Sequence, residues 1–150
     1  MKEPKRPKEV DEAQALYLRH NPVCAISGTT GATQAHHMVP YEYLVKIDRV
    51  WLASDQRIFI GLCETEKGKP EPNWHLLAGH GGSFENANLH VDEDVAYYKS
   101  KGYTLSTQIE ADTYYLARKA QRYKKVKEMT AQDVKDLQAY VDAKWPKQNA

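Results

Sequence analysis

The sequence predicts an α+β fold, because helical patterns at both ends of the chain enclose a centre of short strand and loop segments. Apolar residues at helical spacing between positions 10 and 17 indicate a first helix. The run Arg57-Ile58-Phe59-Ile60-Gly61-Leu62 is rich in β-branched and aromatic residues and predicts a buried strand. Two further helical patterns follow Gly102, so the sequence places strands in the centre and helices on either side of it.

The composition is typical of a folded, globular domain. The 150 residues are 41% hydrophobic and 27% charged, so the chain can bury a core. Residues 1–150 are interpreted as one domain, since the connection at 100–106 is too short for a domain linker. No apolar run approaches the ~20 residues of a membrane helix, and the opening MKEPKRPKEV lacks the apolar stretch of a secretory signal. We therefore expect a cytoplasmic protein without a membrane partner.

The first half of the chain contains two predicted helices. After a basic, Pro-rich arm that extends to Pro7, the first helix is expected to end at Asn21-Pro22. A second, short helix is predicted from Pro72 through Trp74 to Ala78, and Gly79 would end it in the left-handed conformation. This short helix carries His75.

The C-terminal part predicts a helical hairpin docked on the core. Thr107 and Glu110 form a capping box for a helix that reaches about Lys127, and Thr130 with Asp133 begins a second helix. Basic side chains project from one face of the first helix, and they are Arg118, Arg122 and Lys125. This face either contacts the DNA backbone or is solvated, and the sequence favours neither interpretation.

Charge is distributed unevenly, although the net charge is only +1. Residues 99–128 carry eight Lys or Arg and three acidic residues, whereas residues 63–98 carry seven acidic residues and two Lys. A basic segment that follows an acidic, His-rich centre is typical of phosphate contact beside a cation site.

Two cysteines are too few for a disulfide framework. Cys24 and Cys63 either meet in space, as a reduced pair or as the remainder of a metal site, or they are simply two buried thiols. The second interpretation is preferred.

Histidines are concentrated in the centre of the chain. Five of the six fall within 55 positions of one another, and they are His36, His37, His75, His80 and His90. A nuclease needs a divalent ion to neutralise charge on phosphate and a neutral imidazole to deprotonate the attacking water. Adjacent residues at the end of a strand point to opposite sides, so one member of a His-His pair can face a metal and the other the water.

The segment Ala35-His36-His37-Met38-Val39-Pro40 resembles the first motif of the HNH, or His-Me finger, nucleases. In that family the first member of the pair binds metal and the second is the general base, which implies His36 as a ligand and His37 as the base. The turn Cys24-Ala25-Ile26-Ser27-Gly28 also resembles the Cys-containing turn that often opens these domains. Ile60-Gly61-Leu62-Cys63 is similar to the strand that leads into the metal-binding helix of the family.

The resemblance implies that His75, on the helix Asn73–Ala78, is a second metal ligand. His80 follows at a spacing of five, where the family commonly has four, and on an α-helix this spacing turns His80 about 140° away from His75. A helix end at Gly79 would let His80 turn back. Without that turn His90 is the rival for the third ligand position.

Two departures from the family pattern concern other site residues. An Asn normally precedes the second strand, whereas this chain has Ser54-Asp55-Gln56-Arg57-Ile58. Asp55 is therefore a candidate to orient His37, and Arg57 a candidate to contact phosphate. The four-cysteine zinc site of many relatives is absent, so no structural zinc is expected.

The resemblance implies a small ββα-metal centre within residues 22–102, preceded by an N-terminal helix and followed by the helical extension at 104–145. It further implies an endonuclease of phage or mobile-element type that hydrolyses DNA with a His base and one divalent ion, which is Mg²⁺, Mn²⁺, Ni²⁺ or Zn²⁺. One alternative is a non-catalytic, zinc-stabilised module of the same fold that binds DNA or protein. Another is an interaction or inhibitor protein that dimerises or binds a protein partner through its C-terminal helices, in agreement with the near-neutral charge.

Overall fold

The computed structural model describes residues 6–64, 72–82, 84, 87–101 and 124–148. These residues form an α+β structure in which helices surround a two-stranded antiparallel sheet. The strands are β1 (Thr33–His37) and β2 (Phe59–Cys63), and the helices are α1 (Lys8–His20), α2 (Tyr41–Lys46), α3 (Val91–Lys101) and α4 (Ala131–Lys144). The predicted α+β class is confirmed. No helix among the described residues is both long and apolar enough to cross a bilayer.

The sheet places the His-His pair at the end of β1. His36 lies opposite Ile60 and His37 opposite Phe59, and both histidines are only 6% exposed. Opposite Ala35 is Gly61, where a Cβ atom would lie 2.9 Å from the Val23 carbonyl oxygen. A glycine is needed here because the segment that precedes β1 packs directly on the backbone of β2.

Helix α1 confirms the first predicted helix and packs against the sheet. It follows Pro7, which is extended, and it ends at Asn21, whose backbone N–H donates to the Tyr17 carbonyl at 2.8 Å. Its side chains bond the strands directly, since Gln14 donates to the Ala35 carbonyl at 3.1 Å and the Tyr17 hydroxyl accepts from the Gly61 N–H at 3.2 Å.

Helix α4 begins at the predicted capping box. The Asp133 N–H donates to Thr130 Oγ1 at 3.1 Å, and the Thr130 N–H donates to Asp133 Oδ2 at 2.8 Å. The helix buries Leu137 and Val141 in the core, and its Asp142 carboxylate pairs with both ends of the Arg49 guanidinium at 2.8 and 2.9 Å.

Two predicted boundaries are wrong. The strand predicted from Arg57 begins at Phe59, because Gln56–Ile58 forms a 3₁₀ turn in which the Asp55 side chain accepts from the Arg57 N–H. The helix predicted to reach Lys127 does not do so, since Lys125 is extended and a 3₁₀ turn follows at Val126–Glu128. The remainder of that helix, with Arg118 and Arg122, lies outside the described residues, and so does the first half of the predicted hairpin.

The core lies between the sheet, α2 and α4. Its fully buried side chains are aliphatic for the most part, and they include Val39, Leu44, Ile47, Leu52, Ile58, Leu62, Val91, Leu137 and Val141. Cys24 and Cys63 are free, buried thiols that do meet, because the Cys63 N–H donates to Cys24 Sγ at 3.3 Å.

Candidate metal centre

The short helix after β2 is a single π-helical turn at His75–Gly79, here called the π turn. It is started by Asn73, whose side-chain oxygen accepts from the Leu76 N–H at 2.9 Å and whose carbonyl accepts from the Leu77 N–H at 3.0 Å. Trp74 packs against the Tyr98 ring of α3 and is almost fully buried. The predicted helix is therefore present, but it is wider than an α-helical turn.

The extra width brings His75 and His80 to the same side. A π turn closes its hydrogen bonds over five residues instead of four, so a spacing of five no longer separates two side chains as it does on an α-helix. The two imidazole centroids are 4.9 Å apart. The sequence predicts a left-handed Gly79 at the end of this helix, and this prediction is wrong, because the left-handed residues after the turn are Gly81 (φ 57°) and Gly82 (φ 95°).

Three histidines from two elements converge beside the π turn. His36 from β1 lies with its Nδ1 atom 3.1 Å from Nε2 of His75, and its ring centroid is 4.8 Å from that of His80. One ring nitrogen from each of the three lies within 4.8 Å of the others, so His36, His75 and His80 could hold a metal ion. Imidazole nitrogens bind such ions at about 2.0–2.1 Å.

His90, the rival for the third position, lies elsewhere. It is exposed, and it precedes α3, where its carbonyl accepts from the Glu93 and Asp94 N–H groups at 3.1 Å. Its ring is 6.3 Å from the Tyr140 ring of α4. The structure therefore groups His80, and not His90, with His36 and His75.

The buried position of His36 favours its neutral form. Burial lowers the pKa of His36 well below its usual value, the neighbouring histidines act in the same direction, and a hydrogen bond to the Gly79 backbone opposes them. A neutral imidazole has the free electron pair that a metal ligand needs. The donor set of three imidazoles thus fits a divalent ion of the transition series.

Gly79 allows the π turn to approach His36 of β1 and Leu62 of β2. A Cβ atom at this position would lie 3.2 Å from His36 Cε1, 3.2 Å from His75 Cδ2 and 3.2 Å from Leu62 Cδ1. The need for glycine here is one of space and not of backbone conformation, since Gly79 is not left-handed.

Glu64 is a site residue that the sequence-based reasoning missed. Its carboxylate lies 3.1 Å from Nδ1 of His75, and its backbone N–H donates to the Ala32 carbonyl at 2.9 Å directly after β2. A proton on Nδ1 leaves the electron pair of Nε2 directed at His36, and carboxylates commonly fix metal-binding histidines in this way. The only sequence signal was an acidic residue next to the end of the predicted strand.

Asn88 is a second residue that was missed. It is buried, it donates to the Ala78 carbonyl of the π turn at 2.6 Å and to Asp94 Oδ2 at 2.8 Å, and its own side-chain oxygen accepts from the His90 N–H. These bonds attach the π turn to the start of α3. Nothing in the local sequence distinguishes Asn88 from a loop asparagine.

His37 lines the same cavity as the three clustered histidines. The cavity has a volume of about 370 Å³. His37 Nε2 lies 2.9 Å from the Ala53 carbonyl, so this nitrogen carries the proton and Nδ1 carries the electron pair. Burial lowers the pKa of His37, the hydrogen bond to Ala53 opposes this effect, and Arg6 lowers the pKa further. A neutral His37 with one accepting nitrogen is competent to take a proton.

Among the described residues, the other predicted site residues, Asp55, Arg57 and Lys125, do not line the cavity. Asp55 does not orient His37, because its carboxylate pairs with Arg57 at 3.0 and 3.1 Å and the Ala53 carbonyl holds the His37 ring instead. Arg57 also donates to the Pro146 carbonyl at 2.9 Å, so the pair connects the 3₁₀ turn to the C-terminal segment. Lys125 is exposed on the surface.

The described residues thus bring together three imidazoles that could hold an ion, and a fourth imidazole, that of His37, which can accept a proton. Such a combination can promote attack of water on a phosphoryl or acyl group. Comparisons of the chain with protein-family models, with curated proteins and with solved structures found no match.

Proposed function

We propose that this protein is a metal-dependent endonuclease of the ββα-metal type that hydrolyses DNA phosphodiester bonds. The observation that carries the proposal is the presence of His37 on the wall of the cavity beside which His36, His75 and His80 converge. The resemblance of the segment 35–40 to the first HNH motif supports it, and so does the position of His75 on the π turn after β2 with His80 directly after that turn.

His36, His75 and His80 would hold the divalent ion, with Glu64 fixing the tautomer of His75. Mg²⁺, Mn²⁺, Ni²⁺ and Zn²⁺ are the candidates, and three imidazoles favour the last two. When bound, the ion would neutralise phosphate charge and stabilise the leaving oxygen.

His37 would act as the general base. Its Nδ1 atom takes a proton from water while the water oxygen bonds to phosphorus and the bond between phosphorus and the 3′ oxygen breaks. The Ala53 carbonyl, which accepts from Nε2–H, keeps the ring in the tautomer that this step requires. Arg6, which lines the same cavity, would contact the phosphate in the role that the sequence suggested for Arg57.

The test is cleavage of supercoiled plasmid DNA by the purified protein with each of the four ions, compared with His37→Ala and His75→Ala. We expect nicking by the wild-type protein, and its loss in both variants. Calorimetry with Zn²⁺ separates the roles, because His37→Ala should retain metal binding whereas His75→Ala should weaken it. Nicking that survives in His37→Ala contradicts the base assignment.

The same experiment decides between the nuclease and the zinc-stabilised binding module. A wild-type protein that binds Zn²⁺ through His36, His75 and His80 but cuts DNA with none of the four ions is a binding module and not a nuclease. Unchanged Zn²⁺ affinity in His75→Ala would contradict the metal centre itself.

A further inference from the structure

Phe84 is the most exposed of the large apolar side chains in the described part of the chain, at 55%. Isolated exposed apolar residues are common and carry no meaning by themselves. The position of Phe84 is what sets it apart, since it lines the cavity of the candidate metal centre. Its ring centroid is 4.9 Å from that of His80 and 5.7 Å from that of His75.

The Phe84 ring therefore packs against the imidazoles of His75 and His80 at the cavity. Both contacts are edge-to-face, with interplanar angles of 60° and 65°, and more than half of the side chain remains open to solvent. Covering an exposed aromatic ring with another flat ring is favourable, and stacking a nucleobase on an aromatic side chain contributes ~1–3 kcal/mol per base.

A phosphate at the three histidines would place the attached nucleotide beside this ring. In a duplex both faces of each base are covered by its neighbours, so no face is free for Phe84 unless the base leaves the stack. In a single strand the flanking base turns freely and stacking costs much less. The position of Phe84 thus discriminates between the two forms of DNA.

The charges around the cavity agree with binding through stacking. Arg6 and Glu42 both line the cavity and carry opposite charges, and the whole chain has a net charge of +1. Proteins that bind duplex DNA through its phosphate backbone make many contacts with Lys and Arg, and their affinity falls strongly as the salt concentration rises. In this protein, contacts with the bases would contribute a larger part of the affinity than they do in proteins that bind mainly the phosphate backbone.

We propose that Phe84 is the stacking platform for the base next to the scissile phosphate, and that the preferred substrate is single-stranded DNA. This rests on the proposed nuclease function. Phe84 acts as a specificity-determining residue, because it selects a nucleotide whose base is free to stack.

The test measures binding and cleavage separately. Binding of a fluorescein-labelled oligothymidine and of a blunt duplex is followed by anisotropy with Zn²⁺ present and in a His37→Ala background, which should keep the ion bound and should not hydrolyse the probes. Phe84→Leu should weaken binding of the single strand about 5- to 150-fold and leave duplex binding unchanged. Phe84→Trp, which keeps a stacking surface, should retain single-strand binding.

Val23→Ala is the matched control, since Val23 is a large apolar residue with 45% exposure that does not line the cavity. It should bind both probes as the wild-type protein does. Unchanged Zn²⁺ affinity in Phe84→Leu shows that the histidines are still in place.

Cleavage rates with Mn²⁺ on the same two substrates separate this inference from the nuclease proposal. Cleavage that requires His37 but is equal on both substrates and insensitive to Phe84→Leu overturns the stacking role alone. Single-strand binding that depends on Phe84 in a protein that cuts neither substrate supports the stacking role and overturns the nuclease. Equal binding of single strand and duplex overturns the proposed preference for single-stranded DNA.

Discussion

The absence of a side chain at Gly79 lets the π turn, which carries His75, lie close to His36 of β1. Gly79→Ala would place a methyl group 3.2 Å from His36 Cε1 and 3.2 Å from His75 Cδ2. Because the interior is closely packed, the rings must shift by a few tenths of an ångström. We expect Gly79→Ala to weaken Zn²⁺ binding about tenfold or more, in the range seen when groups around metal ligands are altered. Isothermal titration calorimetry measures this.

Gly28→Ala is the control for this prediction. Gly28 has a left-handed backbone (φ 73°), but nothing lies within 4 Å of a Cβ atom there. The variant should therefore lower the melting temperature through backbone strain while Zn²⁺ affinity stays unchanged. Equal Zn²⁺ affinity in wild type and Gly79→Ala would show that the rings adjust without loss and would contradict the prediction.

Glu64 acts on the candidate metal centre through its hydrogen bond with His75. In Glu64→Gln the amide oxygen can still accept from the Nδ1–H group of His75. The negative charge that makes Nε2 of His75 a stronger metal ligand is lost. We expect Zn²⁺ affinity to fall about 10- to 100-fold, and Glu64→Ala to cost more because the hydrogen bond at 3.1 Å disappears as well. Competition with a chromophoric chelator would measure both. Glu93→Gln, an exposed change on α3, should have no effect, and a similar loss there would point to a general charge effect.

At the scale of elements, the capping box is the feature that starts α4. Thr130→Ala removes the side-chain oxygen that accepts from the Asp133 N–H at 3.1 Å. Replacing such a cap typically costs about 0.5–2 kcal/mol. We expect the variant to unfold at lower urea concentration with an unchanged slope, as followed by circular dichroism. Lys135→Ala, at an exposed position in the same helix, is the control and should change stability by less than ~0.5 kcal/mol.

The π turn is the element that tertiary contacts determine most strongly. Its start follows from local sequence, because Asn73 caps it. Its width does not, since the Asn88 side chain bonds the Ala78 carbonyl and Gly79 packs against Leu62 of β2. A wider turn is what brings His75 and His80 together, so the geometry of the candidate metal centre depends on the docking of this element between β2 and α3.

At the scale of the whole molecule, the pair Arg49–Asp142 attaches α4 to the segment after α2. The hydrogen bonds from Arg49 lower the pKa of Asp142, and burial opposes this effect only in part. A depressed pKa in the folded state means that the contribution to stability is complete above the unfolded pKa, about 3.9, and is lost as the pH falls through the folded pKa. Since the Asp142 side chain is 48% exposed, we expect at most ~1 kcal/mol.

The prediction is that Asp142→Asn lowers the melting temperature at neutral pH, and that the difference from wild type disappears as the pH falls below about 4. Calorimetric scans from neutral to acid pH at low salt measure it. Asp136→Asn, exposed on the same helix, should follow the wild-type curve throughout. A difference for Asp142→Asn that grows towards acid pH would mean that the pair is not what stabilises the docking of α4.

The sequence by itself determined the features that depend on neighbours along the chain. Helix α1 ends at Asn21, α4 starts at the box of Thr130 and Asp133, and the His36-His37 pair lies at the end of a strand, because caps, periodicity and strand alternation are local properties. The α+β class follows from the same properties.

Only the tertiary structure decided the features that join distant segments. Contacts between separate segments group His80, and not His90, with His36 and His75. Contacts of the same kind pair Glu64 with His75 and attach the π turn to Asn88. Asp55 is a sequence-based candidate to orient His37 because it precedes the second strand, where the resemblance implies an Asn, yet in the structure its carboxylate binds the Arg57 guanidinium. The physical reason is that a side chain bonds the partner that packing brings within reach, and spacing along the chain does not specify that partner.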